Sequence, residues 1–472
     1  MSGCQDEAPL HEALLRTAAG QAAWLHVPAH RQAAPRGGRF LEEVYRLDLT
    51  ELTGTDDLHC PRAAIAAAQG LAARAWGADE TFFLVNGTSG GLHAALLSVL
   101  SPGGKVALPR NIHRSVMAAV IWSGADPVWL DPVVVPEFGL TGWVEQHAVR
   151  EALKEEPAAV LLVHPTYEGL AGDLRSLVAA VHAAGVPVIV DEAHGAHLRF
   201  HPALPSDAMA CGADVAVQST HKTGGALTQA SMLHRQGGRV DAGRLRSALS
   251  LVQTTSPSFP LLASLDLARR DLVRDGRARL EDALTLADGL RARLASCPGL
   301  SVLGAGDLPG GCLDGTRVTV SVRDTGLSGY AVARALEERY RIRVEAASAE
   351  TLLAVLGIGT RAGDVFALAE AMESLGGCKR LRGAPAPRPP RPPKRLAPRE
   401  AWFAGGRRVA LEEASGRVSA ELIAVHPPGL VVVCPGEEMT AEVVAYLTVV
   451  RALGLAVHGA SDATVTTVRV LD

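Results

Sequence analysis

The stretch D-V-A-V-Q-S-T-H-K-T-G-G-A-L-T-Q, residues 214–229, joins a short apolar run directly to a loop that carries a lysine. The run Asp214–Val217 predicts a buried strand, and the glycines and hydroxyl residues after it predict a loop. Lys222 therefore falls just beyond a predicted strand end. Because a lysine in such a loop is commonly a solvated surface residue, these residues alone leave a functional and a plain interpretation open.

The same arrangement recurs between residues 80 and 235, where short apolar runs alternate with helical stretches. The predicted strands are Thr81–Val85, Lys105–Leu108, Pro127–Leu130, Ala158–Val163, Pro187–Val190 and Asp214–Val217. The predicted helices are Gly90–Leu100, Ser115–Ser123, Val144–Lys154 and Leu174–Ala184. This alternation indicates an α/β fold in which a mostly parallel sheet is covered by helices on both faces, a three-layer architecture. Ligand sites in such sheets lie beyond the carboxyl ends of the strands.

The rest of the chain predicts further domains, because 472 residues exceed what one compact core normally holds. We expect an N-terminal segment over residues 1–60, a large domain over 61–260, and a connecting helix with a small α/β domain over 261–378. Residues 379–399 hold eight Lys or Arg, seven Pro and no acidic residue, which is typical of a stiff linker. A small appended domain follows over 400–472. Elements predicted outside the main sheet are the helices Ala63–Trp76, Leu261–Leu294, Gly329–Tyr340 and Gly363–Leu375, and the strands Arg317–Val322 and Ile342–Glu345.

Composition excludes several functional classes. The chain is 48% hydrophobic and 20% charged with a net charge of −4, which favours neither a nucleic-acid nor a membrane partner. Its seven cysteines form no C-x-x-C pair, so neither a disulfide framework nor a metal site is expected. Residues 1–10 lack the basic and apolar regions of a secretory signal, which makes a cytoplasmic location the expectation.

The loop V-N-G-T-S-G-G-L-H, residues 85–93, follows a predicted strand and precedes a helix. Free amides at a helix start, together with the Thr88 and Ser89 hydroxyls, suit a phosphate monoester. The loop lacks the G-K-[ST] ending of a Walker motif. A plain capped helix start is the alternative interpretation.

Two further polar residues follow predicted strands. His113 lies in N-I-H-R-S, residues 111–115, and is a structural histidine unless it faces a ligand. Asp191 ends the apolar strand of V-I-V-D-E-A-H-G-A-H, residues 188–197, where a buried carboxylate needs a cationic or N–H partner. The letters D-E-A-H also suggest a helicase box, but the missing Walker loop argues against that function.

Pyridoxal 5′-phosphate (PLP) is the ligand that fits these four features together. Its phosphate would bind at Thr88 and Ser89, its ring nitrogen at Asp191, and its ring against His113. Its aldehyde would join Lys222 as a Schiff base. Asp191 would keep the ring nitrogen protonated, so that the ring accepts electrons from a bond broken at the substrate α-carbon.

These motifs resemble the Orn/Lys/Arg decarboxylase family in its short bacterial form, within the aspartate-aminotransferase-like fold of type I PLP enzymes. The matching stretches are D-L-T-E-L-T-G-T-D-D-L-H (48–59), T-F-F-L-V-N-G-T-S-G-G (81–91), N-I-H-R-S (111–115), H-P-T-Y-E-G (164–169), D-E-A-H-G-A-H (191–197), S-T-H-K-T (219–223), T-T-S-P-S (254–258), G-R-V-S-A-E (416–421), P-P-G-L (427–430) and P-G-E (435–437). The resemblance implies decarboxylation of arginine, lysine or ornithine to the amine and CO2, as in polyamine metabolism.

The resemblance also implies roles for individual residues. Lys222 is similar to the PLP-binding lysine, Asp191 to the partner of the ring nitrogen, and His113 to the residue stacked on the ring. Ala193 would pack under the ring and His194 would lie near the cofactor hydroxyl. Lys222 or His221 would donate the proton that completes the reaction. The implied phosphate contacts are Thr88, Ser89, Ser219 and His221, with Thr254 or Thr255 reaching the phosphate of a neighbouring subunit, which implies a homodimer or higher homo-oligomer with shared sites.

The substrate is less fixed than the cofactor, since two segments depart from the family pattern. The family entry stretch P-G-H-K-G-G reads P-A-H-R-Q-A-A here, with Ala29 and Arg31 at the altered positions, and Y-P-P-G-I-P reads H-P-P-G-L-V, with His426 and Val431. A basic substrate needs an acidic partner, and the candidates, each of which could instead be a structural cap, are Asp56, Asp57, Glu437 and Glu438.

Other reactions use the same apparatus. An aminotransferase would need an arginine such as Arg361 to hold the α-carboxylate, and a retro-aldol lyase is a further alternative. A non-catalytic regulator that keeps the fold is hard to reconcile with the presence of both Lys222 and Asp191.

Overall fold

The structure is a computed structural model that describes residues 4–20, 26–33, 41–376, 389–426 and 430–471. Contacts divide the chain into two compact units, each made of two stretches of sequence. The first unit comprises Met1–Ser98 and Pro187–Glu281, and the second comprises Val99–Val186 and Asp282–Asp472. Residues 1–3, 21–25 and 34–40 of the predicted N-terminal segment and residues 379–388 of the predicted linker lie outside the described residues.

Helices and strands alternate along most of the chain. Up to residue 192 the elements are α1 Pro9–Gly20, α2 Glu42–Leu47, α3 Ala64–Trp76, β1 Glu80–Leu84, α4 Gly87–Val99, β2 Lys105–Pro109, α5 Arg114–Ser123, β3 Asp126–Leu130, β4 Pro132–Val135, β5 Leu140–Val144, α6 Gln146–Leu153, β6 Ala159–Val163, β7 Leu170–Ala171, α7 Leu174–Ala183 and β8 Val188–Asp191. From there to residue 313 they are α8 Ala208–Cys211, β9 Val215–Gln218, α9 Thr220–Thr223, β10 Ser231–Arg235, α10 Ala242–Val252, α11 Phe259–Ala295, β11 Ser301–Val302 and β12 Cys312–Leu313. The remaining elements are β13 Arg317–Ser321, α12 Gly329–Tyr340, β14 Ala346–Ala347, β15 Thr351–Val355, α13 Ala362–Gly376, α14 Pro398–Phe403, β16 Arg407–Ala410, β17 Ile423–His426, β18 Leu430–Val433, α15 Ala441–Ala452, β19 Ala456–His458 and β20 Thr467–Val470.

The main strands confirm the predicted α/β class with mostly parallel pairing. In the first unit the strand order is β1-β10-β9-β8, with β8 and β9 parallel and β10 antiparallel to both of its neighbours. In the second unit the order is β6-β2-β3, and both pairs are parallel. All six strands predicted for the main sheet are present within one residue at each end, because their apolar side chains are buried and leave little freedom in register.

Several predicted elements were wrong. The predicted helix Val144–Lys154 begins only at Gln146, because β5 includes Val144 and pairs with β4. The predicted strand Ile342–Glu345 is not a strand, since Arg341 ends α12 in the left-handed region with φ 56° and the Ile342 N–H donates to the Leu336 carbonyl. The strands in this part are β14 and β15, and β15 pairs with β13. Helix α4 begins at Gly87 rather than Gly90.

Two of the hydrophobic cores of the second unit belong to its C-terminal half. One packs the end of α11 and helices α12 and α13 against the sheet that contains β13 and β15, with Leu290, Val320 and Met372 among its members. The other belongs to the C-terminal strands and α15, with Ile423 and Leu447 fully buried. Each core joins helices to strands through contacts between buried apolar side chains. The predicted boundaries at residues 60, 260, 378 and 399 stay a prediction.

Among the described residues, no helix has the length and apolar content needed to cross a bilayer.

Candidate functional site

A cluster of three hydroxyls lies in the first unit at the start of α4. Thr88 Oγ1 is 2.6 Å from Ser219 Oγ, and it donates to Ser231 Oγ at 3.2 Å. Ser89 occupies the same first helical turn and is half-buried. The first amides of a helix have no acceptor within the helix, and the helix dipole makes this end favourable for an anion. The cluster therefore has donors that a phosphate would need, and the assignment of Thr88, Ser89 and Ser219 to a phosphate stays a prediction.

Ser231 was missed by sequence reasoning, because the strand on which it lies was not predicted. Strand β10 reads S-M-L-H-R, and its polar His234 and Arg235 conceal the apolar character of a buried strand. Its antiparallel pairing sets Met232 opposite Gln218 in β9, which puts Ser231 in the same hydroxyl cluster as Ser219.

Lys222 lies in the one-turn helix α9, directly after β9. Its ammonium Nζ is 2.8 Å from His194 Nε2, and the Lys222 side chain is exposed. When Lys222 donates in this contact, His194 Nε2 is the acceptor and the ring proton is on Nδ1. The structure thus brings together two residues that the sequence assigned to one site.

Asp191 is the last residue of β8, and its carboxylate is buried, with 5% of the residue exposed. Burial raises the pKa of Asp191, whereas the Lys222 charge and the Ala193 N–H, which donates to Oδ1 at 3.1 Å, lower it. Such a carboxylate is stabilised by a further positive charge within reach. Ala193, half-buried, follows in the same turn.

The hydrogen bonds of His221 limit which of its ring nitrogens can carry a proton, and this bears on its predicted roles as proton donor and phosphate contact. Its Nδ1 is 2.9 Å from the Ala230 carbonyl, so Nδ1 carries the proton and donates. Burial lowers the pKa of His221, an effect that the Ala230 hydrogen bond opposes and the Lys222 charge reinforces. In the neutral ring Nε2 is therefore an acceptor, a state less suited to donating a proton or to contacting a phosphate.

Thr254 and Thr255 are exposed and lie close to the start of α4. The Thr254 N–H donates to Asn86 Oδ1 at 3.2 Å, and the Thr254 carbonyl is 2.9 Å from His59 Nε2. These contacts fix the backbone at Thr254.

His113 belongs to the second unit, where it caps α5. Its Nδ1 lies 2.8 Å from Ser115 Oγ and accepts from the Ser115 N–H at 3.3 Å, and the residue is exposed. Its backbone forms an isolated antiparallel bridge with Leu430. The ring is thereby held at one nitrogen.

The acidic residues considered for substrate recognition have structural partners instead. The Asp56 carboxylate accepts N–H groups of Arg62, Ala63, Ile65 and Ala66 around the start of α3, and these bonds lower its pKa against the effect of burial. Asp57 accepts the His59 N–H at 2.7 Å. Both are helix-start and turn residues, which was the alternative interpretation for them.

Glu437 and Glu438 form ion pairs within the second unit. Glu437 is buried, and Arg110 donates to both of its carboxylate oxygens, at 2.5 and 2.8 Å. The Arg110 guanidinium also lies 4.4 Å from the ring centroid of Trp129. Glu438 accepts from Arg395 at 2.6 Å. Because removing one partner of a buried ion pair costs about 3–5 kcal/mol, Glu437 is committed to Arg110 rather than available to a substrate.

Arg31 and Val431 mark the two segments in which the chain departs from the family pattern. Arg31 has φ 52° in a turn, next to His30, whose Nε2 is 3.1 Å from Asp48. Val431 is buried in β18, and Arg361 is an exposed residue just before α13. Residues 427–429 of the P-P-G-L motif lie outside the described residues.

A buried polar chain next to Asp191 was not predicted. Glu192 Oε2 accepts from Gln218 Nε2 at 2.7 Å, Gln218 Oε1 is 3.1 Å from His234 Nε2, and His234 Nδ1 is 2.8 Å from Thr81 Oγ1. Each of the four residues is buried. The sequence gives no signal for this chain, because its members come from β1, β9, β10 and the residue after β8.

The donor set of the first unit fits PLP. Three hydroxyls and the first turn of α4 suit the phosphate, and Asp191 suits a protonated ring nitrogen because burial alone disfavours its charge. Lys222 supplies an amine for the aldehyde.

The chain is similar to known families, relatives and solved structures. The model of the Orn/Lys/Arg decarboxylase major domain matches residues 8–305, and that of the Orn/Lys/Arg decarboxylase C-terminal domain matches residues 392–462. The chain is 38% identical to the arginine decarboxylase of Bacillus subtilis (strain 168), over 99% of this chain and 98% of that protein. It is 37% identical to the arginine decarboxylase of Bacillus anthracis over the same shares. Lysine decarboxylase A from Pseudomonas aeruginosa superposes with a TM-score of 0.85 at 22% identity, covering 98% of this chain and 80% of that one, and shows the fold.

Proposed function

Since this chain belongs to the Orn/Lys/Arg decarboxylase family, we propose that its substrate is arginine, which it converts to agmatine and CO2. The chain is a PLP-dependent decarboxylase of a basic amino acid, as its family is. The observation that supports arginine over lysine and ornithine is the identity of 37–38% over 98–99% of both chains to relatives named arginine decarboxylase. The lysine decarboxylase LdcA of Pseudomonas aeruginosa is 29% identical over 61% of this chain and 43% of that protein.

The residues of the first unit would hold the cofactor by complementary charge. Thr88, Ser89, Ser219 and the newly found Ser231 would bind the phosphate, and the Lys222 amine would bind the aldehyde. Asp191 would keep a positive charge on the ring nitrogen. When bound, PLP supplies the electron sink for the pair left at the α-carbon as CO2 departs.

Further roles rest on the family resemblance and on the local geometry. We assign ring stacking to His113 and packing under the ring to Ala193. Lys222 would donate the proton to the α-carbon. His194, whose Nε2 is 2.8 Å from the Lys222 ammonium, would hydrogen-bond to Lys222 and keep that proton in place. His221 fits less well as a proton donor, because its Nδ1 proton is directed to the Ala230 carbonyl.

A homo-oligomer follows from the role proposed for Thr254 and Thr255. Their side chains are exposed beside the start of α4, which is compatible with contact to the phosphate of a neighbouring subunit. Sedimentation of the holoenzyme measures its oligomeric state. The PLP affinity of Thr254→Ala/Thr255→Ala is then measured at protein concentrations above and below that at which the oligomer dissociates. A cytoplasmic location is part of the same proposal and is tested by cell fractionation.

The decisive experiment measures CO2 release and identifies the amine for arginine, lysine and ornithine, with Lys222→Ala as the control. We expect agmatine from arginine, much slower turnover of the other two, and none with Lys222→Ala. Cadaverine or putrescine as the main product would contradict the substrate. A keto acid formed with 2-oxoglutarate and without CO2 would indicate the aminotransferase alternative.

A further inference from the structure

The D-E-A-H stretch contains a glutamate that the proposed function leaves unused. Glu192 follows Asp191, and no part of it is exposed. Its two oxygens accept from different elements: Oε1 from the Ala208 N–H of α8 at 2.7 Å and Oε2 from Gln218 Nε2 at 2.7 Å. A fully buried carboxylate is costly unless it is hydrogen-bonded, and these two bonds offset part of that cost.

Glu192 and Gln218 connect two neighbouring strand ends. Strands β8 and β9 are parallel with Asp191 opposite Val217, and the Glu192 N–H donates to the Val217 carbonyl at 3.0 Å. The side-chain bond between Glu192 and Gln218 adds a second connection one residue beyond the strands. Asp191 precedes one end of this connection, and Ser219 follows the other.

Two more buried residues, His234 and Thr81, fix the orientation of the Gln218 amide in this hydrogen bond. The His234 Nε2–H donates to Gln218 Oε1, which orients the amide so that its NH2 group faces Glu192. The Thr81 hydroxyl donates to His234 Nδ1, and the His234 ring stacks on Trp76 with centroids 5.1 Å apart. All four side chains thus have one consistent set of donors and acceptors.

The same chain also accommodates a proton on Glu192. If the Gln218 amide turns by half a rotation, its oxygen accepts from a protonated Glu192 and its NH2 group donates to His234 Nε2. The His234 proton then moves to Nδ1 and is donated to Thr81 Oγ1. Burial and the neighbouring Asp207 raise the pKa of Glu192, so an arrangement that tolerates the neutral acid is useful.

We propose that Glu192 and Gln218 are positioning residues, whose buried hydrogen bond fixes the strand end that carries Asp191 relative to the strand end that carries Ser219. The relative position of the groups that bind the ring nitrogen and the phosphate then depends on this side-chain pair as well as on the backbone bonds between β8 and β9. This inference rests on the roles proposed above for Asp191 and Ser219. It deepens them by naming what orients the two groups.

The test compares Gln218→Asn with Glu192→Gln in the full-length holoenzyme. The shorter amide cannot span from His234 to Glu192, so we expect Gln218→Asn to lower PLP affinity by about tenfold and to alter the visible circular dichroism of the bound cofactor. Glu192→Gln mimics the neutral acid and keeps the hydrogen bond, so its PLP affinity should stay within about twofold of the wild type. The midpoint of thermal unfolding is measured for each.

The matched control is Gln69→Asn. Gln69 is another buried glutamine of the first unit, and its Oε1 accepts the Phe83 N–H at 2.8 Å without contact to Asp191 or Ser219. We expect this variant to lower the thermal midpoint and leave PLP affinity unchanged.

Three outcomes would overturn the proposal. One is a lowered midpoint for Gln218→Asn with unchanged PLP affinity and cofactor dichroism, which is the result of a purely structural role. Another is a loss of PLP affinity on adding Gln218→Asn to Asp191→Asn/Ser219→Ala that equals its loss in the wild-type background, because the double variant has no groups left to position. The third is a tenfold loss with Glu192→Gln. If Gln218→Asn fails to fold, Gln218→Met, which keeps the side-chain length but cannot hydrogen-bond to Glu192, is measured by the same criteria.

These readouts are independent of the substrate. PLP affinity and cofactor dichroism can be measured whichever amino acid the enzyme decarboxylates. A wrong substrate therefore leaves this test intact. An unchanged cofactor in Asp191→Asn/Ser219→Ala would instead contradict the roles proposed for those two residues.

Discussion

Asp191 carries a charge at a place where burial opposes it. The carboxylate ends β8 with 5% of the residue exposed, and the nearby Lys222 charge and the Ala193 N–H offset part of the cost of burial. At the residue scale, the function therefore depends on one carboxylate that is stabilised most fully when a cation is bound next to it.

Asp191→Asn should lower kcat by about 100-fold or more, because a neutral amide no longer favours a proton on the ring nitrogen. The visible absorbance of the bound cofactor should persist, since Lys222 is unchanged. Steady-state kinetics with arginine and an absorbance spectrum measure both. Asp173→Asn, which exchanges one helix cap for another at an exposed site, is the control and should resemble the wild type. Equal kcat for the two variants would contradict the role of Asp191.

The pH dependence of stability should report on His234. Burial lowers the pKa of this histidine from 6.5 to about 3. Below pH 6.5 the unfolded chain binds a proton there and the folded chain does not, so stability falls as the pH drops towards 3, by up to about 1.4 kcal/mol per pH unit. The thermal midpoint of His234→Gln should depend less on pH in this range than that of the wild type. His147→Gln, at a side chain 75% exposed, should keep the wild-type dependence, and identical curves for the two variants would refute the explanation.

Individual site residues could be predicted only where they follow or end a recognisable sequence pattern, such as an apolar run that predicts a strand. Lys222, Asp191 and Thr88 each follow an apolar run that the sequence reveals as a strand. Ser231 could not be found, because it lies on a strand whose polar residues conceal it. Asp56 was open between capping and binding, and only the backbone N–H groups around it resolve that choice.

Helix α4 is placed by close contact with the sheet at the scale of elements. A Cβ at Gly91 would lie 2.5 Å from Val217 Cγ1 and 2.6 Å from Leu84 Cδ1. The helix backbone therefore approaches β1 and β9 closely, and this approach brings Thr88 to Ser219.

Gly91→Ala should destabilise the protein by about 1–3 kcal/mol, because the added methyl overpacks this contact. Gly289→Ala is the paired comparison in α11, where no heavy atom lies within 4 Å of the new Cβ. The higher helix propensity of alanine should make that change neutral or stabilising by up to about 1 kcal/mol. Thermal unfolding of both variants checks the opposite signs, and a stabilised Gly91→Ala would show that the contact relaxes.

Elements whose position depends on the local sequence were predicted well, whereas elements whose position depends on tertiary contacts were not. Apolar strands flanked by helices were predicted to within a residue because burial fixes them. Strands β14 and β15 were misplaced, because the decision depends on how α12 ends and on the pairing of β15 with β13, which are tertiary facts. The small strand β5 was missed for the same reason, since its partner β4 is separate from the main sheet.

The N-terminal segment is anchored to α11 at the scale of the whole first unit. Asp266 Oδ2 accepts the Leu10 N–H at 2.9 Å, Arg269 donates to Asp266 Oδ1 at 2.8 Å, and both side chains are fully buried. Arg269 also donates to the backbone carbonyls of Gln5 and Glu7. Charge pairing thus adds to the apolar packing of α1, whose Leu10 and Leu14 are fully buried.

Asp266→Ala should cost about 3–5 kcal/mol, because Arg269 remains as an uncompensated buried charge. Asp266→Leu/Arg269→Met should recover much of that loss by replacing the ion pair with apolar side chains. Chemical unfolding of the three proteins measures this. A double variant no more stable than Asp266→Ala would show that the carbonyl contacts of Arg269, rather than the ion pair, hold the segment.

The sequence predicted divisions along the chain at residues 60, 260, 378 and 399, whereas the contacts divide the chain in space. Composition reveals a Pro-rich and Arg-rich stretch but cannot reveal that residues far apart in sequence share a unit. This limit is physical, since pairing across more than 80 residues leaves no local pattern.

That division has a consequence for how the protein is made. The first unit needs Pro187–Glu281 as well as Met1–Ser98, so the ribosome has synthesised all of the second unit's first stretch, Val99–Val186, before the first unit has all of its strands. Strand β1 cannot pair until its partner β10, some 150 residues later in the chain, has been synthesised. The growing chain therefore exposes the apolar face of β1 and α4 throughout that interval, which makes synthesis, rather than the finished enzyme, the stage most open to aggregation and most dependent on chaperones.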